Sequence, residues 1–341
     1  MMRLPEFNYR SPRTVQEAAD MLARAPADTM LIAGGTDLLP NMKRRQQVPA
    51  TLIGLRNIAQ LRTTSGGDRL TIGAAVPLSA LVRDAQVRES YTALWQAAAQ
   101  VATPHLRNMG TIGGNLCLDT RCNYYDQNYE WRKAIDFCMK KDGGVCWVAP
   151  SSRRCLAVSS ADTVPALMAL GATVTLTSAD RAREIPLAHF YRNDGIHYLA
   201  REAGEIVTGI HLPRLEGWRS TYWKLRRRGS FDFPVIGIAA AVNLLPDGTV
   251  SAARVVLGAV ASSPLEVPEA AGLLKGHALT DDRIAAAAQS AEHLARPMDN
   301  TDFSLYWRKR LVREFVVYAL REIRGDDMGE HRRRVARRML T

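Results

Sequence analysis

No stretch of the sequence reaches the eighteen consecutive apolar residues that are typical of a transmembrane helix. The N-terminal residues MMRLPEFNYR lack the apolar core of a signal peptide. These two absences favour a cytoplasmic protein without a membrane span. A chain of 341 residues can bury a large core, and this length is typical of two or three domains.

Acidic residues are scarcer than basic ones. Asp and Glu number 34 against 45 Lys and Arg, which gives a formal net charge of +11. Much of the excess lies near the C-terminus, at Arg321, Arg324, Arg332, Arg333, Arg334, Arg337 and Arg338. A basic tail can bind nucleic acid, but no nucleic-acid-binding motif accompanies it. We therefore favour a solvated or subunit-docking helix and expect no nucleic-acid partner; a zinc-stabilised nucleic-acid-binding protein is the alternative from another functional class.

Cysteine is also scarce, and all five cysteines lie within residues 111–155. Their spacing is Cys117-x4-Cys122-x15-Cys138-x7-Cys146-x8-Cys155. The absence of CxxC pairs excludes a zinc ribbon, and the ferredoxin spacings are absent as well. In a reducing compartment such crowding favours a metal site over disulfides. Four thiolates can hold either an iron–sulfur cluster or a structural zinc ion, and the spacing alone does not distinguish them.

Two segments combine paired glycines with polar side chains. The first glycine segment, Gly34-Gly35-Thr36-Asp37, follows the apolar residues 30–33, which we predict to form a buried strand. The second glycine segment is TIGGNL at 111–116. Backbone N–H groups of such turns can hold phosphate oxygens, so the two segments could bind a diphosphate from two sides. Neither segment is GxGxxG, which excludes the Rossmann fingerprint, and the first segment alone could be an ordinary tight turn.

The order of predicted elements changes along the chain. Strands at 52–55 and 70–73 alternate with helices at 12–25 and 78–102, which is typical of an α/β unit. Asp162 is a predicted N-cap of the next helix. Four strands then precede two helices, which indicates an antiparallel sheet with helices on one face. These strands are predicted at 206–212, 221–225, 235–245 and 249–259, and the helices at 281–295 and 303–324.

AGGTDLLP at 33–40 and TIGGNL at 111–116 resemble the two flavin-binding signatures of the FAD subunits of the xanthine dehydrogenase, or molybdenum hydroxylase, family. The resemblance covers nearly the whole chain and implies an α+β fold. A two-part α/β FAD-binding domain of the PCMH/vanillyl-alcohol-oxidase type would occupy residues 1–183. A smaller C-terminal domain of the CO-dehydrogenase-flavoprotein type, an antiparallel sheet plus helices, would occupy residues 184–300. A C-terminal helix and basic tail would follow at 301–341.

The cysteine-rich stretch differs from the usual sequence of this family. In ordinary members the segment between GGN and the Asp of the following helix is much shorter. Here several tens of residues are inserted, and they resemble the β subunit of 4-hydroxybenzoyl-CoA reductase, where four such cysteines hold a [4Fe-4S] cluster. The resemblance implies a [4Fe-4S]-binding insertion at about residues 117–158. Its ligands would be Cys122, Cys138, Cys146 and Cys155. GGNLC is ordinary family sequence, so Cys117 is not an expected ligand.

The resemblance also implies which residues contact FAD. Backbone N–H groups of the first glycine segment would wrap the pyrophosphate, and the second segment would close over it from the other side. Asp162 sits where the family has an Asp at the adenosine end, Ile206 where a residue packs on the flavin, and Lys224 where a Lys lies near the isoalloxazine. The implied set is Ile32, Ala33, Gly34, Gly35, Thr36, Asp37, Leu38, Thr103, Thr111, Gly113, Gly114, Asn115, Asp162, Ile206 and Lys224.

The implied function is electron transfer, so no catalytic residue is expected in this chain. The subunit would pass electrons between the [4Fe-4S] cluster, FAD and the two [2Fe-2S] clusters of a small subunit, beside a molybdopterin-binding large subunit, in a dimer of heterotrimers. In the reductase interpretation, a ferredoxin-like donor drives reductive dehydroxylation of 4-hydroxybenzoyl-CoA. The alternative is the FAD subunit of a related molybdenum hydroxylase that acts on another substrate and passes electrons outward to an acceptor.

Overall fold

The structure, a computed structural model, describes residues 3–337. Arg338, part of the predicted basic tail, lies outside these residues. The described strands are β1 (Asn8–Arg10), β2 (Thr29–Ile32), β3 (Thr51–Gly54), β4 (Thr64–Ser65), β5 (Arg69–Gly73), β6 (Thr173–Thr177), β7 (Ala182–Pro186), β8 (Ile206–Pro213), β9 (Trp218–Leu225), β10 (Ile236–Leu244), β11 (Val250–Gly258) and β12 (Leu265–Glu266).

The described α-helices are α1 (Val15–Arg24), α2 (Leu38–Lys43), α3 (Leu78–Arg83), α4 (Ala85–Ser90), α5 (Thr92–Gln100), α6 (Pro104–Met109), α7 (Ile112–Leu116), α8 (Tyr129–Ala134), α9 (Thr163–Ala169), α10 (Pro268–Leu274), α11 (Asp281–Leu294), α12 (Leu305–Arg324) and α13 (Gly329–Arg337). Within the described part of the chain, each helix is too short or too polar to cross a bilayer.

The first sheet is small and parallel, with the strand order β1-β3-β2. Helix α1 packs on it through Ala18 and Leu22, which contact a core that includes Ile53 of β3. Thr14 caps this helix by accepting a hydrogen bond from the Glu17 N–H at 3.1 Å. Strand β2 continues directly into the first glycine segment, so its pairing with β3 fixes where that segment leaves the sheet.

The second sheet is antiparallel, with the order β4-β5-β8-β6-β7. Strand β8 lies between β5 and β6 and pairs with both. This sheet therefore continues to Pro213, past the domain boundary expected at residue 183. The apolar pattern of β8 predicted a strand but not its partners. Because β5 and β6 are distant in sequence, the sequence placed the domain boundary before β8.

The third sheet, with the order β12-β11-β10-β9, lies between two layers of helices. One face, which includes Tyr222 and Ala239, packs on α5 and α9. The other face, which includes Trp223 and Ile238, packs on α10, α11 and α12. Adjacent residues of one strand thus contribute to different cores, as the two-residue repeat of a strand requires. The sheet has helices on both faces and not on one as predicted, because α5 and α9 come from the N-terminal half.

Helix α12 packs on the third sheet through its apolar face and also through a buried arginine. The Arg308 side chain is fully buried. Its guanidinium donates to the carbonyl oxygens of Met298 at 3.0 Å, Ala259 at 2.5 Å and Val235 at 3.4 Å. A buried charge is tolerated here because several backbone acceptors surround it.

Several of the basic residues near the C-terminus contribute to packing. Arg324 pairs with Asp281 and Asp326, and Arg334 donates to the Tyr318 hydroxyl at 2.9 Å. Arg332 of α13 forms an ion pair with Glu322 at 2.5 Å, and its guanidinium lies 4.2 Å from the ring centre of Trp223. A solvated or subunit-docking role for the remaining tail arginines stays a prediction.

Replacing Arg308 with Met should lower the free energy of unfolding by about 2–4 kcal/mol, because three buried carbonyl oxygens lose their donor. The matched control is Arg310→Met, which removes an exposed arginine from the same helix. Urea unfolding followed by circular dichroism measures the difference between the two variants. Equal unfolding midpoints would contradict the structural role assigned to Arg308.

Candidate functional site

A cleft of about 380 Å³ lies between the two glycine segments, strand β8 and residues 231–233. Its volume lies within the range of small-molecule and cofactor sites. Most of the residues predicted to bind FAD line this cleft, although they come from separate parts of the chain. They are Ile32, Ala33, Gly34, Gly35, Thr36, Asp37, Leu38, Thr111, Gly113, Gly114, Asn115, Asp162 and Ile206.

The two glycine segments meet through close backbone contacts. A Cβ atom added at Gly34 would overlap the carbonyl oxygen of Met109, just before the second segment. A Cβ at Gly113 would lie 2.7 Å from the Cβ of Ala74, which is closer than real side chains pack. The cleft has its present shape because both positions lack a side chain.

The segments differ in which backbone N–H groups they offer. Within residues 3–337, the N–H groups of Gly34, Gly35 and Thr36 have no backbone acceptor. The second segment is not the open turn that was predicted, because it forms the short helix α7. Its N–H groups are bonded within the chain: Gly113 donates to the carbonyl of Ala74 at 2.9 Å, and Gly114 donates to the Thr111 hydroxyl at 3.1 Å.

Asp162 lines the cleft, but it does not cap helix α9 as predicted. Its carboxylate accepts hydrogen bonds from the Lys224 ammonium at 2.9 Å and the Tyr222 hydroxyl at 2.8 Å. Burial raises the pKa of Asp162 and lowers that of Lys224, and the opposite charge of each partner opposes these shifts. Lys224 also donates to the carbonyl oxygens of Gln100 at 3.1 Å and Asp232 at 2.9 Å.

Two predicted FAD-binding residues lie outside the cleft lining. Lys224 is buried and contacts the cleft through two lining residues, the carboxylate of Asp162 and the carbonyl of Asp232. Thr103 caps helix α6 by accepting a hydrogen bond from the Leu106 N–H at 3.3 Å. Lys224 contributes to the site by holding Asp162. Thr103 contributes by capping helix α6, which leads to the second glycine segment.

Arg121 is a cleft residue that the sequence analysis did not identify. It forms ion pairs with Asp37 of the first glycine segment and with Asp126 of the insertion. Its guanidinium lies 4.5 Å from the ring centre of Phe233, which also lines the cleft. The Nε atom of Arg121 is buried and has no partner among the described residues. No local motif marks this residue, because Asp37 and Phe233 come from segments that are distant in sequence.

The insertion is a loop whose two ends lie side by side. The Arg121 N–H donates to the Val158 carbonyl at 2.8 Å, and the Val158 N–H donates back at 2.7 Å. Gln46 anchors the loop by donating to the Tyr125 carbonyl at 2.5 Å. The side chain of Arg132, almost fully buried, donates to the carbonyl of Arg44 at 3.3 Å.

Four of the five cysteines line one small cavity in this loop. Cys122, Cys138, Cys146 and Cys155 are all buried, and we call the space between them the cysteine cavity. Cys117 instead lines the cleft. None of the five forms a disulfide. Between residues 3 and 337, no group of three or more His, Cys, Asp and Glu side chains is arranged to hold a metal ion.

Burial dominates the chemistry of these thiols. It raises the pKa of Cys122 to about 12 and that of Cys155 to about 11. Neighbouring cysteines add to both increases, whereas the Lys140 ammonium lowers the pKa of Cys155. At neutral pH the thiols of Cys122 and Cys155 stay protonated unless a positively charged group compensates their thiolates. The donor set therefore fits a metal group better than a reactive nucleophile.

Two family models match the chain. The one described as FAD binding domain in molybdopterin dehydrogenase matches residues 5–215, and the one described as CO dehydrogenase flavoprotein C-terminal domain matches residues 220–323. The aldehyde oxidoreductase FAD-binding subunit PaoB of Escherichia coli (strain K12) is 34% identical over 84% of this chain and 92% of its own length. The carbon monoxide dehydrogenase medium chain of Afipia carboxidovorans is 28% identical over 85% of this chain and 87% of its own length.

A solved structure shares the fold. Carbon monoxide dehydrogenase from Hydrogenophaga pseudoflava, in a form that lacks the Mo-pyranopterin moiety of its molybdenum cofactor, matches with a TM-score of 0.78 and 26% identity. The match covers 94% of this chain and 98% of that chain. The expected α+β fold, an FAD-binding domain followed by a domain of antiparallel sheet and helices, is confirmed.

Gly34→Ala should weaken FAD binding by about tenfold or more, because the added methyl group forces the two glycine segments apart. Tenfold corresponds to about 1.4 kcal/mol. The ratio of bound flavin to protein after dialysis against buffer measures the loss. Gly272→Ala is the control, since its Cβ would meet nothing within 4 Å. Equal flavin content in the two variants would show that the close contact at Gly34 does not shape the FAD site.

Proposed function

The chain belongs to the family of FAD-binding subunits of molybdenum hydroxylases and CO dehydrogenases, and on that premise we propose that it is an electron-transfer flavoprotein subunit carrying FAD and a [4Fe-4S] cluster. The observation that carries the proposal is the convergence of four cysteines on one cavity within the insertion, beside the cleft. The proposed FAD-binding domain follows the second sheet to Pro213, with the cluster-binding insertion at about residues 117–158. The flavoprotein C-terminal domain follows it.

The cleft fits FAD in shape and in donors. The first glycine segment would hold the pyrophosphate, because the N–H groups of Gly34, Gly35 and Thr36 have no acceptor in the described backbone. The second segment would provide shape, since its N–H groups are already bonded. Asp162 would face the adenosine end, and Ile206 would pack on the flavin. FAD, when bound, takes up electrons singly or in pairs, and the chain supplies position and electrostatics.

We assign the cysteine cavity to an iron–sulfur cluster. Four thiolates ligate a [4Fe-4S] cluster, and four buried cysteines line this cavity. A structural zinc ion would take the same number of ligands, and the resemblance of the insertion to that of 4-hydroxybenzoyl-CoA reductase favours the cluster. The walls between the cysteines are largely apolar and aromatic, so they would shield the cluster from water. We assign Cys122, Cys138, Cys146 and Cys155 as its ligands.

The partners follow from the family. Relatives are named as FAD-binding subunits or medium chains, so the chain would assemble with a molybdopterin-binding large subunit and a small subunit with two [2Fe-2S] clusters, as a dimer of heterotrimers. Its substrate class would be an aldehyde oxidised on the large subunit, because the relative at 34% identity is named an aldehyde oxidoreductase subunit. Electrons would then leave through FAD to a ferredoxin-like or other acceptor.

The reductase interpretation is the second candidate. The four-cysteine insertion favours it, because it resembles the β subunit of 4-hydroxybenzoyl-CoA reductase. Under this interpretation, electrons would enter from a ferredoxin-like donor and reach 4-hydroxybenzoyl-CoA through the molybdenum subunit.

The direction of electron flow separates the two candidates. The purified anaerobic complex is mixed with an aromatic aldehyde, and in parallel with reduced ferredoxin followed by 4-hydroxybenzoyl-CoA. Loss of flavin absorbance at 450 nm with the aldehyde alone, at a rate that matches turnover, supports aldehyde oxidation. Reoxidation of the ferredoxin-reduced complex by the thioester, without any response to the aldehyde, would replace the first candidate with the second.

Replacing Cys138 with Ser should remove the iron and acid-labile sulfide of the cluster, about four of each per chain, and leave FAD bound. The matched control is Cys117→Ser, which changes a cysteine of the cleft wall and should spare the cluster. Iron, sulfide and released flavin are measured on the isolated subunit or, if it loses its cofactors alone, on the complex. Unchanged iron and sulfide in Cys138→Ser would show that the ligand assignment is wrong.

A further inference from the structure

A buried ion pair lies between the cleft and the cysteine cavity. Asp119 lines the cleft, and Lys140 lines the cysteine cavity. Lys140 Nζ and Asp119 Oδ1 are 2.8 Å apart, and the two side chains are 6% and 7% exposed. A single layer of side chains therefore separates the two proposed redox sites at this point.

The ammonium of Lys140 is held in place by its surroundings. It also donates to the Thr120 hydroxyl at 2.8 Å and to the Gly195 carbonyl at 2.7 Å, so three acceptors match its three hydrogens. The ring centres of Tyr125 and Tyr198 lie 4.8 Å and 5.6 Å from Nζ. These three hydrogen bonds and two aromatic rings hold the ammonium group of Lys140 in one place.

The carboxylate of Asp119 also has partners, one of which is the cleft residue Gln47, whose side-chain amide donates to Oδ2 at 3.3 Å. Its Oδ2 accepts a hydrogen bond from the Tyr125 hydroxyl at 3.2 Å. Lys140 borders the cysteine cavity, and Asp119 borders the cleft. Among the described residues that line the cysteine cavity, Lys140 is the only charged one. Asp126, whose carboxylate accepts a hydrogen bond from the Cys122 N–H at 3.2 Å, is paired with Arg121.

A buried ion pair at this place has an electrostatic effect in addition to its hydrogen bonds. Burying an ion pair removes two charges from water, and an apolar pair of similar size is often at least as stable. A charge in such a dry site, however, acts strongly on neighbouring redox groups, because little solvent screens it. Reduction adds negative charge to a group, so a fixed cation beside it raises its reduction potential and a fixed anion lowers it.

We propose that Lys140 and Asp119 together set the direction of one-electron exchange between the two sites, with Lys140 raising the potential of the [4Fe-4S] cluster and Asp119 lowering that of FAD. One electron would leave the reduced flavin and enter the oxidised cluster. The charges of Lys140 and Asp119 would favour this direction. The inference rests on the proposed function, because it requires both groups.

The test is a redox titration of the purified complex, with the cluster followed by EPR spectroscopy and the flavin by absorbance. Lys140→Met should lower the cluster potential by an amount equal to a tenfold change in the one-electron equilibrium constant, about 59 mV or more. Asp119→Asn should instead raise the flavin potential. The control is Lys141→Met, which removes a neighbouring positive charge that is 39% exposed and paired with Asp142. It should shift either potential far less.

The outcomes separate this inference from the proposed function. A wild-type complex without a [4Fe-4S] signal would overturn the proposed function, and this inference with it. A normal wild-type signal with the same cluster potential in Lys140→Met and Lys141→Met would overturn the inference alone. If Lys140→Met loses its iron, Asp119→Asn decides: a raised flavin potential supports the inference, and an unchanged one overturns it.

Discussion

The ion pair between Asp162 and Lys224 ties the two halves of the molecule together at the cleft. Asp162 precedes helix α9, whereas Lys224 belongs to the third sheet, and the lysine also holds the carbonyls of Gln100 and Asp232. Loss of one partner would leave a buried charge without compensation, which typically costs about 3–5 kcal/mol. The wall that faces the proposed flavin is therefore built from both halves, and neither half can shift without disturbing this contact.

Features with local causes could be predicted from the sequence. Helix α11 begins where the helix at 281–295 was predicted, and the Thr280 hydroxyl caps it by accepting a hydrogen bond from the Arg283 N–H at 3.3 Å. Strands β5, β8, β9, β10 and β11 were predicted from their apolar patterns to within a few residues, whereas β4, β7 and β12 were not predicted. The glycine segments could be identified because only glycine permits the backbone contact seen at Gly34.

Features set by distant partners could not be predicted in this way. Asp162 has the sequence context of a helix cap, but a lysine some sixty residues later takes its carboxylate. Strand β8 was assigned to the C-terminal domain, because nothing in its own sequence reveals that it pairs with β5 and β6. Arg121 and Asp119 have no motif, and only the folded chain places them on the cleft wall.

The paired ends of the insertion affect how easily the loop can be gained or lost during evolution. Arg121 and Val158 exchange two hydrogen bonds, so residues 122–157 leave the framework and return to it at nearly one point. A loop of this kind can lengthen, shorten or disappear at small entropic cost, because its removal requires only a short link between neighbouring ends. The cysteine-bearing loop is thus a module that evolution could add to, or delete from, a flavoprotein framework without redesigning the sheets beneath it.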